Sequence, residues 1–259
     1  MLKPMLPTPF TPPLTAFAQL PETIARQGFA VLDAAALEAC TGCALADLAA
    51  LTPSWDTLAR DQYLKDGGRY RLRRHACYRQ QAQALTDVGQ RPHWQPLEYN
   101  ALHGGLERWF EPVEQSISNS PAWRGLITGL GLACARAGGM PAADWFIEAH
   151  QFRIDTTDGI GRPTPEGAHR DGVDFVAVLL IDRVAIKGGE TRVFESSGRH
   201  GQRFTLSEPF SVLLLDDARV IHESTPIQPI EPAHSGHRDS LVITYRRAGF
   251  QGPALSGST

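Results

Sequence analysis

From residue 145 to 245 the chain sets short runs of Val, Ile, Leu and Phe between Gly, Pro and Asp. The runs Trp145–Ile154, Asp174–Ile181, Glu190–Phe194, Phe210–Leu215, Arg219–Ile221 and Ser240–Tyr245 each have the length and β-branched content of a strand. Many short strands at such spacing close into a sandwich or barrel, because a strand must bury at least one face and hide its edges. The first half differs. Glu22–Gln27, Ala34–Leu51, Thr57–Leu64 and Pro121–Ala137 read as helices, the last with proline early and Gly138-Gly139 behind it. A strand is expected at Gly28–Leu32. Helices first and strands second imply an α+β fold in which N-terminal helices brace one sheet from outside.

The 259 residues carry a formal net charge of -3, with a pI near 6.3. This balance gives no clustered basic surface for nucleic acid or a membrane. The basic string Arg69-Tyr-Arg-Leu-Arg-Arg74 mostly alternates with apolar residues, as in a strand with one charged face. Of the four cysteines only Cys40 and Cys43 are close, and no second pair follows at zinc-site spacing. They read as small apolar residues of a helix in a reducing compartment. No run of about twenty apolar residues is present, and the prolines near residue 1 break any signal-peptide helix, so a cytoplasmic location is expected. The expected organisation is a Pro-rich arm over 1–20, one domain over 21–249, and a loose Gly/Ser-rich tail over 250–259. The sequence is silent on oligomeric state.

Three polar residues stand where a metal site needs them. His169-Arg-Asp171 immediately precedes an apolar strand, and residues i and i+2 of an extended segment project to the same side. His222 ends a later strand, after a gap of about three or four strands, which brings the chain back alongside in a closed double sheet. Two imidazoles and one carboxylate on one face leave coordination positions of an Fe(II) ion open. His-x-Asp alone is a weak signal in a chain with nine histidines. Its context strengthens it: Gly188-Gly189-Glu190 opens an intervening strand, Asp216-Asp217 turns into Arg219-Val-Ile-His222, and Arg238-Asp-Ser240 precedes the last strand. The fork of Arg238 with the hydroxyl of Ser240 suits a carboxylate.

These residues resemble a family. His-x-Asp followed by His and then Arg-x-Ser, on a strand-rich C-terminal half, is similar to the Fe(II)/2-oxoglutarate-dependent dioxygenases. Within it, Pro163-Thr-Pro-Glu-Gly-Ala-His-Arg-Asp-Gly172 resembles a bacterial branch containing L-isoleucine 4-hydroxylase and related free L-amino-acid hydroxylases, along with proteins named for biofilm and stress phenotypes. The strings Tyr99–Pro112 and His150–Arg153 add to it, and the resemblance spans roughly residues 28 to 247. It implies a double-stranded β-helix (jelly-roll, cupin-like) core. It also implies His169, Asp171 and His222 as iron ligands, Arg238 and Ser240 as the 2-oxoglutarate anchor, and O2 as co-substrate. The histidines must be neutral to bind, so metal affinity should fall in acid.

A free amino acid needs a cation for its carboxylate and an acceptor for its ammonium. Arg153, Arg170 and Gln151 are the candidate liners, with Glu166 and Asp174 as ammonium partners. Trp94, Trp109 or Phe175 would supply an apolar slot. Two other readings compete: a cupin-type metalloenzyme that does not use 2-oxoglutarate, and a non-catalytic stress or biofilm regulatory binding protein on the same fold. A peptide or another small acid is an alternative substrate.

Overall fold

The structure is a computed structural model describing residues 10–100, 102–198 and 200–253. It is mostly antiparallel sheet with a few helices. Helix α1 (Leu20–Gln27) stops at Gly28, whose φ of 78° suits a residue without Cβ. Strand β1 (Phe29–Leu32) follows. The helix expected over 34–51 is two, α2 (Ala34–Thr41) and α3 (Leu45–Ala49). Asp33 caps the first through the Ala36 amide, and Gly42 ends it at φ 69°. An alanine-rich composition hides such a break, because propensity stays helical on both sides of one glycine.

The helix expected over Thr57–Leu64 is absent. A 3-10 segment, Thr52–Thr57, precedes it. The chain then runs along the edge of β2 (Arg71–Gln81), where the Asp61 amide donates to the Arg71 carbonyl and the Arg73 amide to that of Ala59. Strand β3 (Ala84–Asp87) completes a hairpin with β2. Helices α4 (Gln115–Ser118) and α5 (Pro121–Ala137) close the first half. Then come β4 (Asp144–Asp155), β5 (Phe175–Val184), β6 (Ile186–Gly188), β7 (Thr191–Glu195), β8 (Gly201–Phe204), β9 (Val212–Asp216), β10 (Val220–Ser224), β11 (Ile227–Pro229) and β12 (His237–Arg246). Each expected strand overlaps one of these and differs from it at the ends. Strands β3, β6, β8 and β11 are too short and polar to show in the pattern.

Seven strands form one sheet in the order β1-β9-β5-β12-β4-β2-β3, and β10-β7-β8 form a second. Alternation divides the large sheet. On one face Trp145, Ile147 and Ala149 of β4 pack with Trp123, Leu126, Ile127 and Leu130 of α5. Trp145 Nε1 donates to the Gly131 carbonyl at 2.8 Å and the Tyr245 hydroxyl to that of Ile127 at 2.9 Å. The helices brace this face, as the pattern requires. On the other face Phe29, Val31, Val176, Leu213 and Leu215 pack against Val193, Phe204 and Val220 of the three-stranded sheet. Toward β12, β4 and β2 the same inner face turns polar, with Arg238, Ser240, Glu148, His150, Arg71, Arg73 and His75 in cross-strand register.

Residues 10–16 lie against the sheets: the Thr15 amide donates to Val31, and Phe10 accepts from Thr205. Residues 1–9 of the expected arm and 254–259 of the expected tail lie outside the described residues. Phe250 and Gln251 are half-buried, with Phe250 edge-on to Phe146. Among the described residues no single helix is long and apolar enough to cross a membrane.

Cys40 and Cys43 sit between α2 and α5, whereas Cys77 lies on β2. Cys43 Sγ lies 3.8 Å from the Ala122 carbonyl, and burial pushes the Cys40 thiol up to about 12. Helix α2 touches α5 closely at Gly129, where a Cβ would stand 2.6 Å from Thr41 Cα. In an exposed helix Gly→Ala gains about 1 kcal/mol. Here Gly129→Ala should instead cost roughly 1–3 kcal/mol by overpacking, read from urea denaturation midpoints. A stabilised variant would contradict this packing.

Candidate metal centre

The backbone of His169 pairs directly with that of His222. Each amide donates to the other's carbonyl, at 3.0 and 2.9 Å. A closely paired antiparallel couple carries its side chains to the same side, and the imidazole centroids lie 4.7 Å apart. His169 Nδ1 is 2.9 Å from the Gly167 carbonyl. A carbonyl only accepts, so Nδ1 carries the proton and Nε2 presents a lone pair. Asp171 faces both rings, with Oδ1 3.9 Å from His169 Nε2 and Oδ2 3.9 Å from His222 Nε2. One donor atom from each of the three lies within 4.8 Å of the others.

Asp171 is held from three sides. The Asp217 carboxylate, wholly buried, accepts from the amides of Asp171, Gly172 and Val173 at 3.0, 2.8 and 3.1 Å. Gln251 Nε2 donates to the carbonyls of Asp171 and Gly172. Gln95 Nε2 donates to Asp171 Oδ1 at 3.0 Å. The Gln95 amide is fixed, because its oxygen accepts from both Asn100 Nδ2 and Arg108 Nη2. Gly172 is required by its φ of 76° and by the Tyr99 ring, which a Cβ would strike.

Burial pushes the Asp171 carboxyl up, against the pull of His169. Burial also opposes a charge on His169, but the Asp171 and Glu166 carboxylates outweigh it and raise its pKa. Burial, reinforced by His169, holds His222 well below the usual imidazole range. His222 Nδ1 is buried without a partner. A divalent cation among these atoms would relieve the carboxylate's desolvation and use neutral imidazoles, so the donor set fits a metal.

The three residues line a cavity of about 950 Å³, open mouth included. Arg238 and Ser240 line it too. Arg238 is 4% exposed, and its Nε has no partner. Among the described residues no carboxylate pairs with it. Burial and the like charge of Arg183 lower it to about 10. An uncompensated buried guanidinium is costly, and a ligand carboxylate removes that cost.

Of the other expected liners only Glu166 faces the cavity, with Oε1 3.5 Å from His169 Nε2. Gln151 and Arg153 occupy the helix-side face of β4: Gln151 bonds Ser54 Oγ, and Arg153 pairs with Asp239 and Asp56. Arg170 lies over Tyr99, and Asp174 pairs with Arg247. Trp109 is exposed, Phe175 belongs to the helix-side core, and Trp94 does not line the cavity. Phe152, Ile154, Val178, Leu213 and Val242 are apolar liners in their place.

Arg71, Arg73, His93, Gln95, Asn100 and Arg108 also line it, none of them expected. The charged face seen at 69–74 pointed to the two β2 arginines, but it faces inward. A second group, His75, His93, Glu148 and His150, has metal-like spacing. Its protons are already allocated. Arg73 Nη2, which only donates, lies 2.7 Å from His150 Nδ1, so His150 Nε2 carries a proton and no lone pair. His93 Nδ1 contacts Glu148 at 2.9 Å. This group is a buried polar network with an adjacent guanidinium, which disfavours a cation.

Residues 52–244 match the model of the 2OG-Fe dioxygenase family, and the chain belongs to that family. Its members are oxidoreductases using Fe(II), 2-oxoglutarate and O2. The crystal structure of a bsmA homolog from Methylobium petroleophilum PM1 is similar, with TM-score 0.87 and 53% identity over 93% of this chain and 97% of that one. Two more distant structures share the fold. IDO from Bacillus thuringiensis has TM-score 0.69 and 17% identity, over 92% and 100% of the two chains. The Fe(II)/α-ketoglutarate-dependent dioxygenase TqaL has 0.68 and 19%, over 93% and 90%. No curated protein matches the sequence.

Asp217→Ala would leave three half-buried amides of the 171–173 segment without their acceptor. It should cost roughly 3 kcal/mol or more, at 1–3 kcal/mol per unsatisfied group, in chemical denaturation of the metal-free protein. A loss under about 1 kcal/mol would mean that this carboxylate does not hold the segment.

Proposed function

We propose that the chain holds Fe(II) through His169, Asp171 and His222, anchors 2-oxoglutarate on Arg238 and Ser240, and hydroxylates an unactivated C–H of a small substrate, a free L-amino acid. The observation that carries this reading is the Arg238 guanidinium, buried without an acid partner in the cavity that the three metal-type donors face. The large and small sheets are read as the two halves of a double-stranded β-helix, with residues 21–249 as one domain.

When bound, the iron and 2-oxoglutarate supply the oxidising power: O2 is consumed, the keto acid leaves as succinate and CO2, and one oxygen atom enters the substrate C–H bond. The protein's part is positioning. The Gly167 carbonyl sets the His169 tautomer, and burial keeps His222 unprotonated. Gln95 keeps the Asp171 carboxylate from rotating. Arg238 supplies a fixed fork for the far carboxylate of the keto acid, with the Ser240 hydroxyl beside it. The apolar liners Val178, Leu213 and Val242 exclude water from the reacting centre. Glu166, whose Oε2 is buried and unpartnered, is the one acid among the expected liners placed to accept from a substrate ammonium. The strings resembling free amino-acid hydroxylases support that substrate class.

The test is succinate formation by iron-loaded protein given 2-oxoglutarate, O2 and pooled L-amino acids, then single ones. Succinate should form in step with loss of one amino acid. Arg238→Gln should raise the KM for 2-oxoglutarate about 100-fold, as for loss of a charge-assisted bidentate pair worth roughly 3 kcal/mol. No succinate with any amino acid, despite bound iron, would refute the substrate class. An unchanged KM would refute the role of Arg238.

A further inference from the structure

Arg238 is not the only guanidinium left short of acid in this cavity. Arg71, Arg73 and Arg108 are 6%, 4% and 2% exposed. Asp61 serves two of them, with Oδ2 2.7 Å from Arg71 Nε and 3.6 Å from Arg73 Nη1. Arg108 has no carboxylate partner among the described residues. Its bond is to Gln95 Oε1, a neutral acceptor. The other acids nearby are engaged elsewhere: Glu148 with His93 and His75, and Glu166 beside His169. Buried donors remain unused on all three arginines: Arg71 Nη2, Arg73 Nε and Arg108 Nε. His150 Nε2, protonated because Arg73 donates to Nδ1, is a fourth. Such a surplus of unpaired buried donors, three of them on guanidiniums and one on a neutral imidazole, is costly without an anion.

The sheet register places this cluster. Ile154 of β4 lies opposite Arg71 on β2 and opposite Arg238 on β12. The two cationic positions therefore share one cross-strand row, about 10 Å apart at the backbone, two strand spacings. Ile154 and Phe152 form an apolar divide between them, and Phe152 also supports the Arg73 guanidinium, 4.4 Å from its ring centroid. A single dicarboxylate held at Arg238 and reaching the iron does not satisfy the β2 cluster. From that cluster, Arg108 reaches Asp171 through one carboxamide, that of Gln95. An acid bound at Arg108 thus lies within a few bonds' length of the metal donors.

We infer that Arg71, Arg73 and Arg108 form a second anion site, separate from Arg238, which receives the carboxylate of a small aliphatic acid substrate and sets its C–H near the iron. The inference rests on the proposed reading of the metal and 2-oxoglutarate sites and gives that reading its substrate anchor. Only one short spacer separates the acid from the metal, so the hydroxylated carbon lies a few bonds from the carboxylate. Glu166 serves an ammonium where the substrate has one.

The test is equilibrium binding to Mn(II)-loaded protein with 2-oxoglutarate present. The probes are L-isoleucine, L-leucine, L-valine and L-methionine, their carboxamides, and isovalerate, which has no ammonium. At least one acid should bind, with its carboxamide weaker by about 30-fold or more, the loss expected for one charge-assisted contact. Arg108→Gln should shrink that acid-over-amide ratio about tenfold, and Arg108→Lys should recover part of it. A merely structural defect lowers acid and amide alike and leaves the ratio intact. An unchanged ratio in Arg108→Gln would overturn the inference while leaving the amino-acid reading standing. Isovalerate binding that depends on Arg108, with no amino acid bound, would support the second anion site and remove the amino-acid reading. Binding of no acid, equal binding of acid and amide, or loss of 2-oxoglutarate binding in Arg108→Gln would each overturn it.

Discussion

The site depends on one backbone pairing, the reciprocal hydrogen bonds between His169 and His222. These residues are far apart in sequence, and neither side chain could be held beside the other by local structure. The pairing adds the His169 segment to the free edge of β10, and the sheet then fixes both imidazoles as rigidly as any cross-strand couple. Asp217 does the same for the third residue. Its carboxylate replaces the sheet as acceptor for three consecutive amides where the chain leaves the strand direction and turns toward β5. The metal-type geometry is therefore a property of the backbone, and side-chain packing only refines it.

Charge gives the cavity its second organising feature. The inner face of the large sheet is apolar at β1, β9 and β5, where it meets the small sheet, and cationic at β12 and β2. Guanidiniums buried without acids are unstable elements in an empty cavity and favourable ones in a cavity filled by acids. Their placement on either side of β4 would, on the proposed reading, hold two bound carboxylates apart. Gln95 joins the two halves of the site. Its oxygen senses Arg108 and Asn100, and its nitrogen holds Asp171.

The mostly antiparallel sheet with bracing helices, and the gathering of His169, Asp171 and His222 into one group, were legible because both are written locally. Short apolar runs between turns mark the strands, and His-x-Asp before one strand with His ending another leaves little freedom once the sheets close. The arrival of Arg238 and Ser240 on one wall of the cavity was legible from their i, i+2 spacing at the start of a strand. The substrate liners were not. Strand β4 is buried on both faces, by helices on one and by the cavity on the other, so alternation could not say which residues point inward. Gln151 and Arg153 have the wrong parity and meet Ser54, Asp56 and Asp239 instead. Arg71 and Arg73 showed as a charged face, but a charged face is solvated by default, and its burial comes from the covering segment after β3. That segment, with Gln95, Asn100 and Arg108, has no periodicity from which a role can be read.

Metal titration of the anaerobic protein with Fe(II) tests the central claim most directly. One ion per chain should bind, and His222→Ala and Asp171→Ala should each abolish it while the folded-state circular dichroism is kept. His93→Gln, in the neighbouring histidine cluster, should leave the stoichiometry at one. Retention of the ion in both His222→Ala and Asp171→Ala, or its loss in His93→Gln alone, would contradict the account.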